Sequence, residues 1–129
     1  MERVRKMIEN SYKTSCGCIH YFVNIIDKQK ITLVFLPGLT ADHRLFEKQI
    51  EYFYNKQNVF VWDAPSHALS RPFTNNYSLS DMAEWLDEIL AKEEIYNPII
   101  IGQSMGGYLA QMYMELYPDK IKGFISIDS

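Results

Sequence analysis

With 129 residues, 47% of them hydrophobic and 22% charged, the chain has room for one globular domain and no second one. A net charge of −3 leaves no basic stripe for nucleic acid, and no apolar run approaches the roughly 20 residues that cross a bilayer. The first residues, Met1-Glu2-Arg3-Val4-Arg5-Lys6, are charged with no apolar stretch behind them, so no signal peptide is expected and the cytoplasm is the expected location.

In chain order, Met7 to Ile26 suggests two strands joined near Gly17. Ile19, Tyr21, Val23 and Ile25 alternate with His20, Phe22 and Asn24, as on a half-buried strand of a hairpin. Cys16 and Cys18 would point to opposite faces of such a strand, a poor geometry for a mutual disulfide, and C-x-C alone is no zinc signature. Both are expected as reduced thiols. Ile31 to Leu36 is a nearly unbroken apolar run, the pattern of a strand covered on both faces, and Pro37-Gly38-Leu39-Thr40 ends it.

A helix is predicted from about Asp42 to Asn55, with Phe46, Ile50 and Phe53 on one stripe. Val59-Phe60-Val61-Trp62 reads as the next buried strand, closed by Asp63-Ala64-Pro65. Ser78-Leu79-Ser80-Asp81 has the side chains of a helix start, with Leu79, Met82, Leu86 and Ile89 as the apolar stripe behind it. Asn97-Pro98-Ile99-Ile100-Ile101 reads as a buried strand and Met105 to Tyr117 as a helix with Met105, Leu109, Met112 and Leu116 inward. Pro118-Asp119-Lys120 stops that helix, and Ile121 to Ile127 is a final strand. From Ile31 onward strand and helix alternate, which calls for a mostly parallel sheet between helical layers, an α/β three-layer sandwich. The methionines of the helices are expected as core filling.

Between the strand at Ile101 and the helix at Met105 stands Gly102-Gln103-Ser104-Met105-Gly106, a Gly-x-Ser-x-Gly turn. A serine at the tip of a sharp strand-to-helix turn has its hydroxyl held clear of the sheet, and flanking glycines remove the Cβ atoms that would collide with neighbouring backbone. Such a serine needs a base to take its proton and donors for a developing oxyanion. The N–H of Met105 is the natural first donor, and the loop at Gly38-Leu39 can supply the second. The pattern predicts acyl transfer, most simply hydrolysis of an ester, thioester or amide.

Four stretches, in order, resemble the α/β-hydrolase superfamily, and the resemblance runs from about Ile19 to the end. Leu33-Val34-Phe35-Leu36-Pro37-Gly38-Leu39 is similar to the family's strand and oxyanion loop. Asp63-Ala64-Pro65-Ser66-His67-Ala68-Leu69-Ser70 is similar to the segment after the following strand. Gly102-Gln103-Ser104-Met105-Gly106-Gly107 resembles the nucleophile elbow, and Tyr117-Pro118-Asp119-Lys120-Ile121 resembles the passage from the next helix into its strand. The resemblance implies Ser104 as nucleophile, Leu39 and Met105 as oxyanion amides, and Gly38, Gly102 and Gly106 as motif glycines. It implies no cofactor and no metal. Pro37 stands where many relatives have histidine, and Ser66 and Ala68 where they often have glycine.

The family's triad runs Ser, Asp or Glu, then His along the chain, and this sequence has no histidine after Ser104. Its later carboxylates are Glu115, expected on the solvated side of its helix, Asp119, in a turn, and Asp128, where a minority of relatives place the acid. Among earlier histidines the candidate bases are His43, which opens the helix behind the oxyanion loop, and His67, in the loop after the following strand. His20 is far off on an early strand, and a base must come within hydrogen-bond reach of the serine. About six of the family's eight strands are accounted for, so residues 1–129 are expected to form one incomplete, C-terminally truncated α/β-hydrolase domain. Its last strand would leave an open apolar edge, inviting a homodimer or a complementing C-terminal segment.

The leading expectation is a serine hydrolase for a small-molecule carboxylic ester or thioester, working through an acyl-enzyme on Ser104 and inactive if the chain acts alone without its proton shuttle. A second reading is a non-catalytic module of the same fold that binds a ligand or partner. An acyltransferase or carbon–carbon bond hydrolase is a third.

Overall fold

The computed structural model describes residues 7–38, 41–74 and 76–127. Strands β1 (Ile8–Lys13) and β2 (Cys18–Asn24) form the expected antiparallel hairpin, in register from Ile8 opposite Val23 to Lys13 opposite Cys18. The Thr14 side chain holds the turn, accepting from the N–H groups of Cys16 and Gly17. Cys16 therefore sits in that turn rather than on a strand, and both thiols are free. The expected alternation of β2 is only partial, since Phe22 is buried along with Ile19, Tyr21 and Val23. The reason is that β2 is an interior strand with helices beyond both faces.

Strands β3 (Thr32–Leu36) and β4 (Asn58–Trp62) are buried at every residue, as their unbroken apolar runs predict. With β5 (Pro98–Gln103) and β6 (Gly123–Ile127) they complete a six-stranded sheet in the order β1-β2-β4-β3-β5-β6. β2 runs antiparallel to β4, while β4, β3, β5 and β6 run parallel to one another.

The predicted helix over residues 42–55 is a single 3₁₀ turn, His43–Phe46, running into α1 (Glu47–Phe53). The Asp42 side chain caps it by accepting from the Arg44 N–H. α2 (Leu79–Lys92) begins at the predicted helix start, where the capping side chains form a reciprocal box: Ser78 Oγ accepts from the Asp81 N–H, and Asp81 Oδ2 accepts from the Ser78 N–H. α3 (Met105–Leu116) differs from expectation in its rotation. It buries Gly106, Gly107, Leu109, Ala110 and Tyr113, whereas Met105 and Met112 are only half-buried and Leu116 is 43% exposed. Gly106 lies against the carbonyl of Leu36, and that contact turns the inward stripe by about one residue from the purely hydrophobic one.

Side chains alternate between two layers. Phe46 and Ile50 meet Phe22, Leu33, Phe35, Val59, Val61 and Ile101 on one face. α2 and α3 meet Tyr21, Val34, Leu36, Phe60, Trp62 and Ile100 on the other. The connection leaving β3 thus covers one face and the helix leaving β5 the other. Between the carboxyl ends of β3 and β5 the winding reverses, which is where open α/β sheets form their ligand crevice.

Candidate active site

Ser104 stands at that crevice, between the end of β5 and the start of α3, with backbone angles φ 56° and ψ −118°. A side chain at such a positive φ is strained and persists only where the surroundings impose it. Here three backbone hydrogen bonds do so. The Ser104 N–H donates to the Ile127 carbonyl of β6 at 3.0 Å, and the Ser104 carbonyl accepts from Gly107 at 2.8 Å and Tyr108 at 3.3 Å. The serine itself is exposed.

The turn is possible only because its neighbours lack side chains. A Cβ on Gly102 would stand 2.1 Å from the Gly106 carbonyl oxygen, and one on Gly106 would stand 2.0 Å from the Leu36 carbonyl oxygen. Strand, turn and helix therefore touch backbone to backbone, which draws the start of α3 onto the end of β3. At that start, Met105 and Gly106 precede Gly107, the first residue whose N–H donates back to the Ser104 carbonyl, so their own N–H groups belong to the unsatisfied, electropositive end of the helix.

Gly38 closes the site from the β3 side. Its N–H donates to Oε1 of Gln103 at 3.1 Å, and a Cβ there would lie 2.9 Å from that of Ser104. The structure thus brings together Gly38, Gly102, Ser104, Met105 and Gly106. Leu39 and Asp128, the other named amide and the candidate acid, lie outside the described residues.

The histidines are engaged elsewhere. Nδ1 of His43 is 2.8 Å from Oδ1 of Asp63, whose side chain also accepts from the backbone N–H groups of His43 at 2.8 Å and Leu69 at 3.2 Å. Asp63 is fully buried at the end of β4 and ties the loop after β3 to its own loop. The His43 ring packs on Phe22 of β2, with centroids 4.5 Å apart, toward the side of the sheet that β4 and β3 separate from β5. His67 faces its own loop, with Nδ1 3.0 Å from the Pro65 carbonyl oxygen, and His20 lies on β2 beside Glu9. At the rim, the guanidinium of Arg44 grips Asp42, and this hydrogen bonding holds the Asp42 carboxyl below the usual range. Glu115 is exposed on α3 and Asp119 lies in a turn, as expected. Among the described residues no group of three His, Cys, Asp or Glu side chains is placed to hold a metal, and no helix is long and apolar enough to cross a membrane.

Two contributors escaped the sequence reading. Gln103 is a variable position of the Gly-x-Ser-x-Gly pattern, yet a polar residue between a strand-ending glycine and the serine is a signal that could have singled it out. Asp63 was visible as an acidic residue closing an apolar strand, and only the fold reveals the loop it braces.

A doubly wound sheet with a strained serine at its switch point defines a class, and comparison with known proteins agrees. Residues 31–129 match the family model described as the alpha/beta hydrolase fold, and the chain belongs to that family. It is 26% identical over 102 residues to an inferred esterase/lipase of Mycoplasma genitalium, covering 78% of this chain and 38% of that protein. It is 28% identical over 109 residues to the pimeloyl-[acyl-carrier protein] methyl ester esterase of Wigglesworthia glossinidia brevipalpis, covering 84% of this chain and 40% of the relative. Among solved structures, Est816, described as an N-acyl homoserine lactone degrading enzyme, superposes with a TM-score of 0.83 at 20% identity, covering 91% of this chain and 44% of that one. That likeness shows the fold. The chain spans about two-fifths of the length of the curated relatives it matches.

Proposed function

We propose that Ser104 is the nucleophile of a serine hydrolase acting on carboxylic ester or thioester bonds. The observation that carries this reading is the exposed serine held at φ 56° between β5 and α3, beside the free N–H end of the helix. The Ser104 oxygen attacks the carbonyl carbon and gives up its proton to a base. The carbonyl oxygen becomes an oxyanion that accepts from the Met105 N–H, and from Leu39 by the resemblance. Its collapse expels the alcohol or thiol, which takes up a proton, and leaves an acyl-enzyme for water to cleave. His43 is already bound to Asp63 and is assigned no part in the proton transfer. The esterase relatives support an ester as the bond attacked, and one is named for a methyl ester. Both hydrophobic layers share one sheet, which supports reading the chain as belonging to one domain.

The test is a fluorophosphonate probe on the folded chain. Labelling at Ser104 that disappears in Ser104→Ala is the expected result. A folded, unlabelled chain counts against a primed nucleophile in this chain and favours a non-catalytic module that binds a ligand or partner. We further propose that the β6 edge pairs with another strand, from a second copy or a complementing segment. Ile125 and Ile127 are 50% and 40% exposed there, and β5 is the only partner of β6 among the described residues. Sedimentation showing a monomer at high concentration, with no response to an added strand peptide, would contradict it.

A further inference from the structure

We propose that Gln103 is a positioning residue for the oxyanion side of this site, an inference that rests on the function proposed above. Two observations carry it. Gln103 is the residue immediately before the serine, so its backbone position is set by the same strained turn. Its side chain folds back across the gap between β5 and β3, and Oε1 accepts the Gly38 N–H at 3.1 Å.

The approach is close enough that Gly38 has no room for a side chain. A Cβ there would stand 2.4 Å from Gln103 Oε1 and 2.5 Å from the Gln103 backbone oxygen. The glycine and the glutamine are therefore a matched pair. β3 and β5 are already in register up to Leu36 opposite Gly102. Beyond that point the ladder ends, and the amide of Gly38 would face the crevice unpaired without an acceptor. The Gln103 carboxamide extends the ladder with a side chain. By occupying the Gly38 N–H it removes that donor from the crevice and fixes the plane of the Pro37–Gly38 peptide at the end of β3. A group that accepts without carrying charge suits this place, because a carboxylate beside a developing oxyanion would oppose it.

The test compares Gln103→Leu, which removes the acceptor, with Gln103→Glu, which keeps one and adds a charge, in the full chain. The first readout is hydrogen exchange at the Gly38 amide: faster in Gln103→Leu and still protected in Gln103→Glu. The second is the kinetics of fluorophosphonate labelling at Ser104. In Gln103→Leu the limiting rate is expected to fall about 10- to 100-fold, as for a misplaced catalytic environment, with the half-saturating probe concentration little changed. In Gln103→Glu the rate relative to wild type should recover as pH falls and the carboxyl is protonated. If Gln103→Leu does not fold, Gln103→Asn, one methylene too short to reach, replaces it.

Unchanged Gly38 exchange, or a wild-type labelling rate in the folded Leu or Asn variant, overturns the role of Gln103 and leaves Ser104 as nucleophile. Absence of labelling in the folded wild type overturns the nucleophile, and the role of Gln103 with it, even where Gly38 exchange responds.

Discussion

At one edge of the sheet, β1 is tied down by side chains. Asn10 Nδ2 donates to Glu93 Oε2 at 3.1 Å, Lys92 Nζ to the Ser11 carbonyl at 3.0 Å, and the Tyr12 hydroxyl to Glu88, so that α2 grips the outer strand through polar groups. Beneath them, the buried Tyr21 hydroxyl of β2 reaches the same Glu93 oxygen at 2.5 Å. At the other edge, β6 is held through its backbone and its apolar side chains. Lys122 donates to the Pro98 carbonyl at 2.7 Å as the strand begins, Phe124 packs on the core, and Ile127 accepts the Ser104 N–H. The first edge sets Glu9, Asn10, Ser11 and Lys13 beside its one exposed isoleucine, Ile8, and these polar side chains discourage pairing with another strand. The second exposes Ile125 and Ile127 with no charged residue on the strand. A disturbance at β1 is therefore a matter of local stability. A disturbance at β6 reaches the serine.

The largest effect is expected from breaking the close contact between α3 and β3 on the serine's side of the sheet. Gly106→Ala places a methyl group 2.0 Å from the Leu36 carbonyl oxygen, so α3 must lift from β3. We expect a loss of about 3 kcal/mol or more in urea unfolding, at the upper end for overpacking, and no fluorophosphonate labelling. Wild-type stability in this variant would show that the close backbone approach is not rigid.

Next is the buried clamp between the two edges. Asp63→Ala strands the backbone N–H groups of His43 and Leu69 without their acceptor, at an expected cost of about 2–4 kcal/mol. Asp63→Asn, which retains one acceptor oxygen, should lose less.

Alkaline unfolding probes the phenols. Burial, reinforced by Glu93 and Asp87 respectively, pushes the Tyr21 and Tyr113 hydroxyls far above their ordinary value of 10.0. The hydrogen bond to Glu88 raises Tyr12 to about 12. Because the folded values are raised, the unfolded chain releases these protons first. The phenols' contribution to stability is then constant below pH 10 and falls above it, by up to about 1.4 kcal/mol per pH unit for each fully protected phenol. Denaturant titrations from pH 8 to 11 check this, and Tyr21→Phe should flatten the slope by one phenol's share.

The smallest changes are expected at the exposed contacts. Lys92→Ala should cost about 0.5 kcal/mol or less and leave Ser104 labelling as in wild type. Ile125→Thr on β6 should change stability by about as little while reducing self-association in sedimentation. If Lys92→Ala altered labelling instead, the division between the two edges would not hold.

Much of this architecture was legible in the residues. The unbroken apolar runs of β3 and β4 foretold strands covered on both faces, and Ser78 with Asp81 marked the start of α2 to the residue. What stayed hidden depends on contacts between segments far apart in the chain. The rotation of α3 follows from Gly106 meeting Leu36, and no hydrophobic pattern within the helix encodes that. The 3₁₀ turn before α1 follows from Asp42 capping and from His43 being drawn to Asp63, whose partnership spans a whole β-α-β unit. At the site, Ser104 and its glycines could be placed from spacing alone, whereas Gln103 acquires its meaning only once β3 lies beside β5.

The bond from Ser104 N–H to the Ile127 carbonyl also carries a message about timing. A polypeptide emerging from the ribosome presents the serine turn well before it presents β6. Until that strand adds to β5, the N–H of Ser104 has no such acceptor, and the unfavourable φ has one fewer restraint to hold it. The tightened backbone is thus set only after β6 has docked on β5, and an edge strand with exposed isoleucines acts as the latch that sets it.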